Sequence, residues 1–182
     1  MTFSLGMLEF TAATSRPDLL ADPVHAALAD PGWPWPPDAV GVTEIDPDLA
    51  DTAAFCEKYR VSPAESANCV VITGRRDGAA RFAACLVLAT TRADVNNVAR
   101  RVLDVRKASF APMDEAVALT GMEYGGITPI GLPADWPILV DAAVAAAPLV
   151  VVGSGLRRSK LALAGKTLAD LAGATVLDGL GR

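Results

Sequence analysis

The pattern of hydrophobic and polar positions changes its period repeatedly along the chain. Short apolar runs rich in β-branched residues predict strands at 39–45, 68–72, 81–89, 107–110, 138–141, 149–152, 159–164 and 174–177. Amphipathic segments with helix-start signals predict helices at 17–29, 46–59, 62–65, 94–103, 112–119, 142–147 and 166–172. The first of these helices is broken at Pro23. Strands and short helices follow one another without a regular βαβ repeat. The pattern therefore predicts an α+β fold with a mixed sheet.

The segment 30–38, with the sequence DPGWPWPPD, is the proline-rich stretch of the chain. Its prolines, together with Trp33 and Trp35, predict an extended connector rather than a helix or a strand. One interpretation is a PxxP ligand for a partner domain, and the other is a loop that its tryptophans anchor on the protein surface. We predict that residues 1–40 form an N-terminal extension packed on one domain of residues 41–182.

The composition favours a packed domain that does not cross a membrane. Hydrophobic residues make up 52% of the chain and charged residues 20%, a composition that excludes extensive disorder. The best candidate span, 138–153, is interrupted by Asp141 and Pro148, whereas a membrane span needs roughly 18 apolar residues. The first fifteen residues lack the basic and apolar regions of a secretory signal. We therefore expect a cytoplasmic protein.

The cysteine and histidine content removes several classes of site. Cys56, Cys69 and Cys85 have no CxxC spacing, which argues for a reducing compartment and against a disulfide framework or a zinc cluster. His25 is the single histidine, so a Ser-His-Asp triad would have to use it far from any exposed serine motif. The chain contains no HExxH and no P-loop pattern. We expect neither a metal nor a cofactor.

Charge is distributed unevenly along the chain. Residues 1–66 carry 11 acidic and 3 basic residues, whereas residues 67–182 carry 10 acidic and 13 basic residues. The second part thus has a net charge of +3 in a chain whose net charge is −5. This excess of positive charge is consistent with either a local phosphate-binding face or an ordinary solvated rim. The basic residues considered for such a face are Arg100, Arg101, Arg106, Lys107, Arg157, Arg158 and Lys160.

The loop Gly125 to Gly131, GGITPIG, is the most informative local feature. Two adjacent glycines allow positive φ and close backbone approach, so that successive N–H groups can point into a cavity. Pro129 restricts Thr128 to extended conformations and stiffens the exit of the loop. The loop is therefore either a backbone site for a carbonyl, carboxylate or phosphate, or a plain tight connection.

Two further polar positions have competing interpretations. Asp141 follows an apolar strand and precedes a helical segment, so it is either the helix N-cap or a side chain that faces the loop cavity. Ser154 lies in the sequence Gly153-Ser154-Gly155, which lacks the third glycine of a dinucleotide-binding loop and precedes a hairpin. A turn is the better interpretation there, with Ser154 as a residue that could line a pocket.

The order of these motifs resembles that of the YbaK-type aminoacyl-tRNA editing domains, which include the editing insertion of bacterial prolyl-tRNA synthetases. The matching pieces run over about 130 residues and are Thr52-Ala53-Ala54, Val61 to Glu65, Asp94 to Leu103, Lys107 to Ala111, Leu119-Thr120-Gly121, Gly125 to Gly131, Ile138 to Asp141, Val152 to Gly155 and the helix around Leu168. The resemblance implies a mixed sheet that closes toward a barrel with helices packed outside.

The resemblance also implies an activity, namely hydrolysis of the ester between a wrong, small amino acid and the 3′ end of a tRNA, without a metal. It places the aminoacyl group against the backbone of the Gly125 to Pro129 loop. A synthetase or an elongation factor is expected to supply additional affinity, because the positive charge of this chain is modest. The predicted pocket comprises Asn68, Gly125 and Gly126 at the reacting ester, and Ile127, Thr128, Pro129, Asp141, Ser154 and Lys107 around the substrate.

One position departs from the family pattern. These domains usually carry a lysine at the start of the strand after the short helix, where this chain has Asn68. An amide donates hydrogen bonds but supplies no full positive charge. The alternative function is therefore a catalytically inactive relative that binds aminoacyl-tRNA or a small aminoacyl or nucleotide ligand. Lys107, on a neighbouring strand, is the residue expected to replace the missing charge.

Overall fold

A computed structural model describes residues 2–182, which form two five-stranded sheets. The first sheet has the strand order β1-β2-β3-β9-β8, and all of its pairs are antiparallel. Its strands are β1 (Phe3–Leu5), β2 (Leu8–Ala12), β3 (Gly41–Glu44), β8 (Val150–Gly153) and β9 (Ser159–Leu163). β9 lies between β3 and β8, and all five of its residues are buried.

The second sheet is mixed and has the order β10-β7-β5-β4-β6. Its strands are β4 (Ala67–Arg76), β5 (Ala79–Leu88), β6 (Ala108–Phe110), β7 (Ile138–Asp141) and β10 (Ala174–Leu177). β4 and β5 form a long hairpin whose two-residue turn, Asp77-Gly78, has positive φ at both residues, as its right-handed twist requires. β7 pairs in parallel with β5 and with β10.

A parallel bridge between Ser66 and Val151 joins the two sheets where β4 begins. The largest core cluster draws on both sheets, with Leu161 and Val152 from the first and Leu86 and Val140 from the second. The sheets thus curl into a half-barrel around a shared apolar interior. The prediction of an α+β fold with a mixed sheet closing toward a barrel is confirmed.

The α-helices are short and follow the predicted order. They are α1 (Asp22–Ala29), α2 (Thr52–Tyr59), α3 (Arg100–Val102), α4 (Met113–Thr120), α5 (Ala142–Ala145) and α6 (Gly165–Ala169), with 3₁₀ turns at Ala13–Ser15, Pro17–Leu19, Pro47–Leu49 and Pro63–Glu65. Ser62 and Glu65 form the capping box that their spacing predicts. Gly121 ends α4 in the left-handed conformation.

The prediction of a helix at 94–103 is wrong about which residues form its buried face. The sequence pattern predicts one apolar face that includes Val95, Ala99 and Val102. A π-helical turn, Val95–Ala99, precedes α3 and inserts one extra residue before the next turn. Because of that insertion Val102 is exposed and Leu103 takes the buried position.

The N-terminal segment contributes more regular structure than the sequence pattern predicts. β1 and β2, which no pattern indicated, extend the first sheet: β2 pairs with β3, and β1 pairs with β2. Phe10 of β2 is fully buried. Trp33 and Trp35 stack edge to face with ring centroids 4.7 Å apart, and Trp33 packs on the main core cluster. The domain boundary at residue 40 stays a prediction. Among residues 2–182, no helix has the length and apolar character that crossing a membrane requires.

Candidate functional site

A cavity of about 450 Å³ opens where the two sheets meet. Three regions form its wall: the start of β4 with Ser66 and Asn68, the end of β8 with neighbouring β9, and the loop around Gly125. The start of α2 closes a further side through its N-cap Asp51 and its first residue Thr52. Segments that lie far apart along the chain therefore meet at one concave surface, which is the usual setting of a ligand site.

Lys160 brings a positive charge into this cavity. The residue lies in β9, opposite Thr43 of β3 and Gly153 of β8, and only 7% of it is exposed. Its Nζ donates a hydrogen bond of 2.9 Å to the carbonyl oxygen of Ala50 and lies 5.4 Å from the centroid of the Phe55 ring. Strands on both sides hold the side chain in place, so the ammonium group is oriented before any ligand arrives.

The environment of Lys160 destabilises its charged form. Burial is the main reason that its pKa falls to about 8, and repulsion from Arg157 adds to the effect. Asp51 and Cys56 oppose the shift. Because a pKa of about 8 lies above neutral pH, most of the protein carries a charged Lys160 at pH 7.

Asn68 lies half-buried on the same wall and is oriented by a neighbour. Thr52 donates a hydrogen bond of 2.5 Å from Oγ1 to Asn68 Oδ1. This contact occupies the oxygen of the amide and leaves the two N–H donors of Nδ2 without a protein acceptor among residues 2–182. Asn68 therefore can act as a hydrogen-bond donor to a ligand carbonyl.

The glycine loop contributes backbone atoms to the cavity wall. Gly125 has φ of 81° and lines the cavity together with Ile127, and neither N–H donates to an acceptor within the described part of the chain. Gly126 is buried behind them, where its carbonyl oxygen accepts a 2.7 Å bond from the N–H of Gly155. The loop thus offers two backbone donors at the cavity wall.

Arg157 fastens the glycine loop at the cavity mouth. Its guanidinium donates to the carbonyl oxygens of Tyr124 at 3.2 Å and of Pro47 at 3.1 Å, and lies 3.7 Å from Asp51. Its backbone N–H donates to Glu123 at 2.6 Å. These contacts tie the loop to the 3₁₀ turn before α2 and fix the width of the opening.

Several predicted site residues lie elsewhere. Thr128 and Pro129 are buried behind the loop, and no hydrogen bond satisfies the Thr128 hydroxyl among the described residues. Lys107 is exposed beside β6 and does not line the cavity. The structure therefore brings together only part of the predicted set, namely Asn68, Gly125 and Ile127, with Gly126 directly behind.

Asp141 and Ser154 do not line the cavity either, because local hydrogen bonds hold both side chains. Asp141 is the N-cap of α5: one carboxylate oxygen accepts from Ala143 N at 3.0 Å and the other from Gly181 N at 2.8 Å. Ser154 is fully buried, and its hydroxyl lies 2.7 Å from that of Ser159 across the β8–β9 connection.

The sequence-based prediction for Lys160 is wrong: it groups Lys160 with Arg157 and Arg158 in a phosphate-binding face or solvated rim, whereas the residue is buried. Its flanking residues, Leu161 to Leu163, form an apolar strand, and a lysine in such a strand was the available signal. Among residues 2–182, no group of histidine, cysteine, aspartate or glutamate side chains could hold a metal ion.

Comparison with known proteins identifies the family of the chain. A family model described as the aminoacyl-tRNA editing domain matches residues 46–171, which include the whole span from Thr52 to Lys160. The chain therefore belongs to the aminoacyl-tRNA editing domain family, as the motif order predicts. No curated protein sequence matches the chain.

Three solved structures share the fold. One, described as a candidate trans-editing enzyme for prolyl tRNA synthetase, has a TM-score of 0.72 and 24% identity over 89% of this chain and 96% of that one. A scaffold protein from the computational grafting of epitope backbones has a TM-score of 0.72 and 24% identity, over 89% and 97%. The hypothetical protein APE2540 has a TM-score of 0.67 and 21% identity, over 78% and 90%. At these identities the similarity establishes the fold alone.

Proposed function

We propose that the protein hydrolyses the ester that joins a wrong amino acid to the 3′ end of a tRNA. The observation that carries the proposal is the combination, in one cavity, of the Lys160 ammonium, the Asn68 amide and the N–H groups of Gly125 and Ile127. Ester hydrolysis develops negative charge on the carbonyl oxygen, and donors held in place before reaction stabilise that charge. Membership in the editing-domain family supports the choice of ester.

The reaction needs no covalent intermediate with the protein. Water adds to the ester carbonyl carbon, the bond to the ribose oxygen breaks, and that oxygen takes up the proton that the water gives up. The products are a free amino acid and an uncharged tRNA. In this scheme Lys160 and Asn68 stabilise the oxyanion, and the glycine loop positions the aminoacyl group.

The size and lining of the cavity favour a small amino acid such as alanine, cysteine or a proline analogue. The ribose and the aminoacyl group have to share about 450 Å³. The wall that the amino acid would contact is apolar and includes Val71, Ala116 and Ile127. A large or charged side chain would meet these residues without a polar partner.

The alternative, a binding module without activity, rests on Asn68 at the position of the family lysine. Lys160 supplies from β9 the positive charge that Asn68 lacks. Its presence favours hydrolysis over binding alone. A synthetase or an elongation factor would then contribute affinity rather than chemistry.

A panel of mischarged tRNAs tests the proposed function. We expect the purified protein to hydrolyse alanyl- and cysteinyl-tRNA for proline well above the spontaneous rate, and to act more slowly as the amino acid becomes larger. The rates are measured by loss of labelled amino acid, with correctly charged tRNAs as controls. A folded protein that binds these substrates but leaves all of them intact would establish the binding alternative instead.

Gly153→Ala tests how closely the glycine loop must pack on β8. An added Cβ would collide with the carbonyl oxygen of Gly126 and lie 2.6 Å from that of Ile127. We expect a loss of about 2 kcal/mol in the free energy of unfolding and slower hydrolysis, because the loop has to shift.

Gly179→Ala is the matched control for Gly153→Ala. Gly179 has φ of 69° and open space around it, so alanine there adds backbone strain of about 1 kcal/mol without touching the cavity. Denaturant unfolding and deacylation are measured on both variants. Equal hydrolysis by Gly153→Ala and wild-type protein would contradict the proposed role of the loop.

A further inference from the structure

Three large hydrophobic side chains surround the mouth of the cavity. Phe110 is 59% exposed, Met113 57% and Tyr124 57%, and all three line the cavity. Exposed hydrophobic residues are common singly, but a group of them at one opening marks a surface that another molecule covers. We call the two aromatic residues among them, Phe110 and Tyr124, the aromatic rim.

A basic stretch of the chain leads to the aromatic rim. Residues 75–107 contain 8 of the 16 basic residues and 3 of the 21 acidic residues. Asp104 pairs with Arg76 and Arg81. Five exposed residues of the stretch have no carboxylate partner within residues 2–182, namely Arg92 and four that we call the basic tract: Arg75, Arg101, Arg106 and Lys107.

We propose that the aromatic rim stacks the terminal adenine of a tRNA and that the basic tract binds the phosphates that precede it. This inference rests on the proposed function, which places the ester carbonyl at Lys160 and Asn68 inside the cavity. The alcohol side of that ester is the ribose, so the base attached to the ribose extends toward the mouth. There it meets Phe110 and Tyr124, and aromatic side chains are common stacking partners of unpaired bases.

Lys107 lies directly before β6, the strand that ends in Phe110. Lys107 precedes Phe110 by three residues, or about 10 Å of extended strand, and β6 is the edge strand of its sheet. A cation at this distance from a stacked base is within reach of the neighbouring phosphates. An apolar protein partner would also cover the rim, but the adjoining positive charge favours a polyanion.

The test uses a short oligonucleotide that ends in CCA, with 2-aminopurine in place of the terminal adenine. Stacking on an aromatic side chain quenches its fluorescence. We expect saturable quenching that weakens as salt is added, and about tenfold weaker binding for each of Phe110→Ala and Tyr124→Ala. Tyr124→Phe, which keeps the ring, should bind as the wild-type protein does. Met7→Ala, at an exposed hydrophobic residue outside the cavity lining, is the control.

The oligonucleotide carries no ester, so its binding is independent of catalysis. Quenching without hydrolysis of any mischarged tRNA would support the base site and overturn the proposed function. Hydrolysis at an unchanged kcat/KM by the folded Phe110→Ala, Tyr124→Ala double variant would overturn the base site and leave the proposed function standing. Absence of quenching by the wild-type protein would likewise overturn it.

Discussion

Replacement of Lys160 by methionine is expected to slow hydrolysis ten- to hundredfold and, at the same time, to make the protein more stable. The loss of rate follows from removing a charged donor to the oxyanion, which contributes about 1.5 to 3 kcal/mol. The gain in stability follows from burial. Lys160 is desolvated, its neighbour Arg157 repels it, and its hydrogen-bond acceptor is the neutral carbonyl of Ala50. Methionine fills a similar volume without a charge.

The expected stabilisation is about 2 kcal/mol at neutral pH, or an increase of about 4 to 8 °C in Tm for a chain of this size. Thermal unfolding and single-turnover hydrolysis are measured on the same preparations. The control is Lys166→Met, because Lys166 is an exposed lysine that pairs with Asp170 on α6. A Lys160→Met protein that retains full activity would show that the ammonium group takes no part in the reaction.

The second large effect is on the pH dependence of the rate. Because the pKa of Lys160 is about 8, its positive charge disappears as the pH rises from 7 to 9. Once spontaneous hydrolysis has been subtracted, the enzymatic rate should therefore fall by up to about tenfold over that range. The groups that face Lys160 are Arg157, Asp51 and Cys56; the pKa of the Cys56 thiol is raised, mainly by burial, so its charge changes little there. A rate that instead rises through pH 8 would assign Lys160 the role of a general base.

The same shift predicts how stability depends on pH. The folded-state pKa of about 8 lies below the ordinary lysine value of 10.5, so the unfolded chain binds more protons between these two values. The free energy of unfolding contributed by this residue therefore rises with pH between about 8 and 10.5. The stability advantage of Lys160→Met over the wild type should shrink across that window. An advantage that stays constant would show that burial does not lower the pKa of Lys160.

Most of the fold could be predicted because its elements depend on local signals. The β4–β5 hairpin follows from Asp77-Gly78 between two apolar runs, and the turn before β4 follows from the capping box at Ser62. β1 and β2 could not be found in this way, because each is short and the pairing of β2 with β3, which joins them to the sheet, is a tertiary contact. The π-helical turn at Val95–Ala99 likewise leaves no local sequence pattern that a period of 3.6 detects.

The candidate site was only partly predictable for a different reason. Asn68 and the Gly125 loop carry recognisable motifs, but the position of Lys160 depends on strand order. β9 is covered by β3 and β8 on its two sides, which turns a lysine beside two arginines into a buried cation. Asp141 and Ser154 differ from Lys160 in the opposite sense: the sequence predicts that they line the pocket, but hydrogen bonds to nearby N–H and hydroxyl groups hold their side chains away from it.

Single-turnover hydrolysis of alanyl-tRNA for proline, with the protein in excess at pH 7, tests the central claim most directly. Wild-type and Lys160→Met proteins are compared with the spontaneous reaction under identical conditions. The account predicts rapid loss of the ester with wild-type protein and a rate ten- to hundredfold lower with the variant. Loss of the ester at the spontaneous rate with a folded wild-type protein, across this and the other small amino acids, would contradict it.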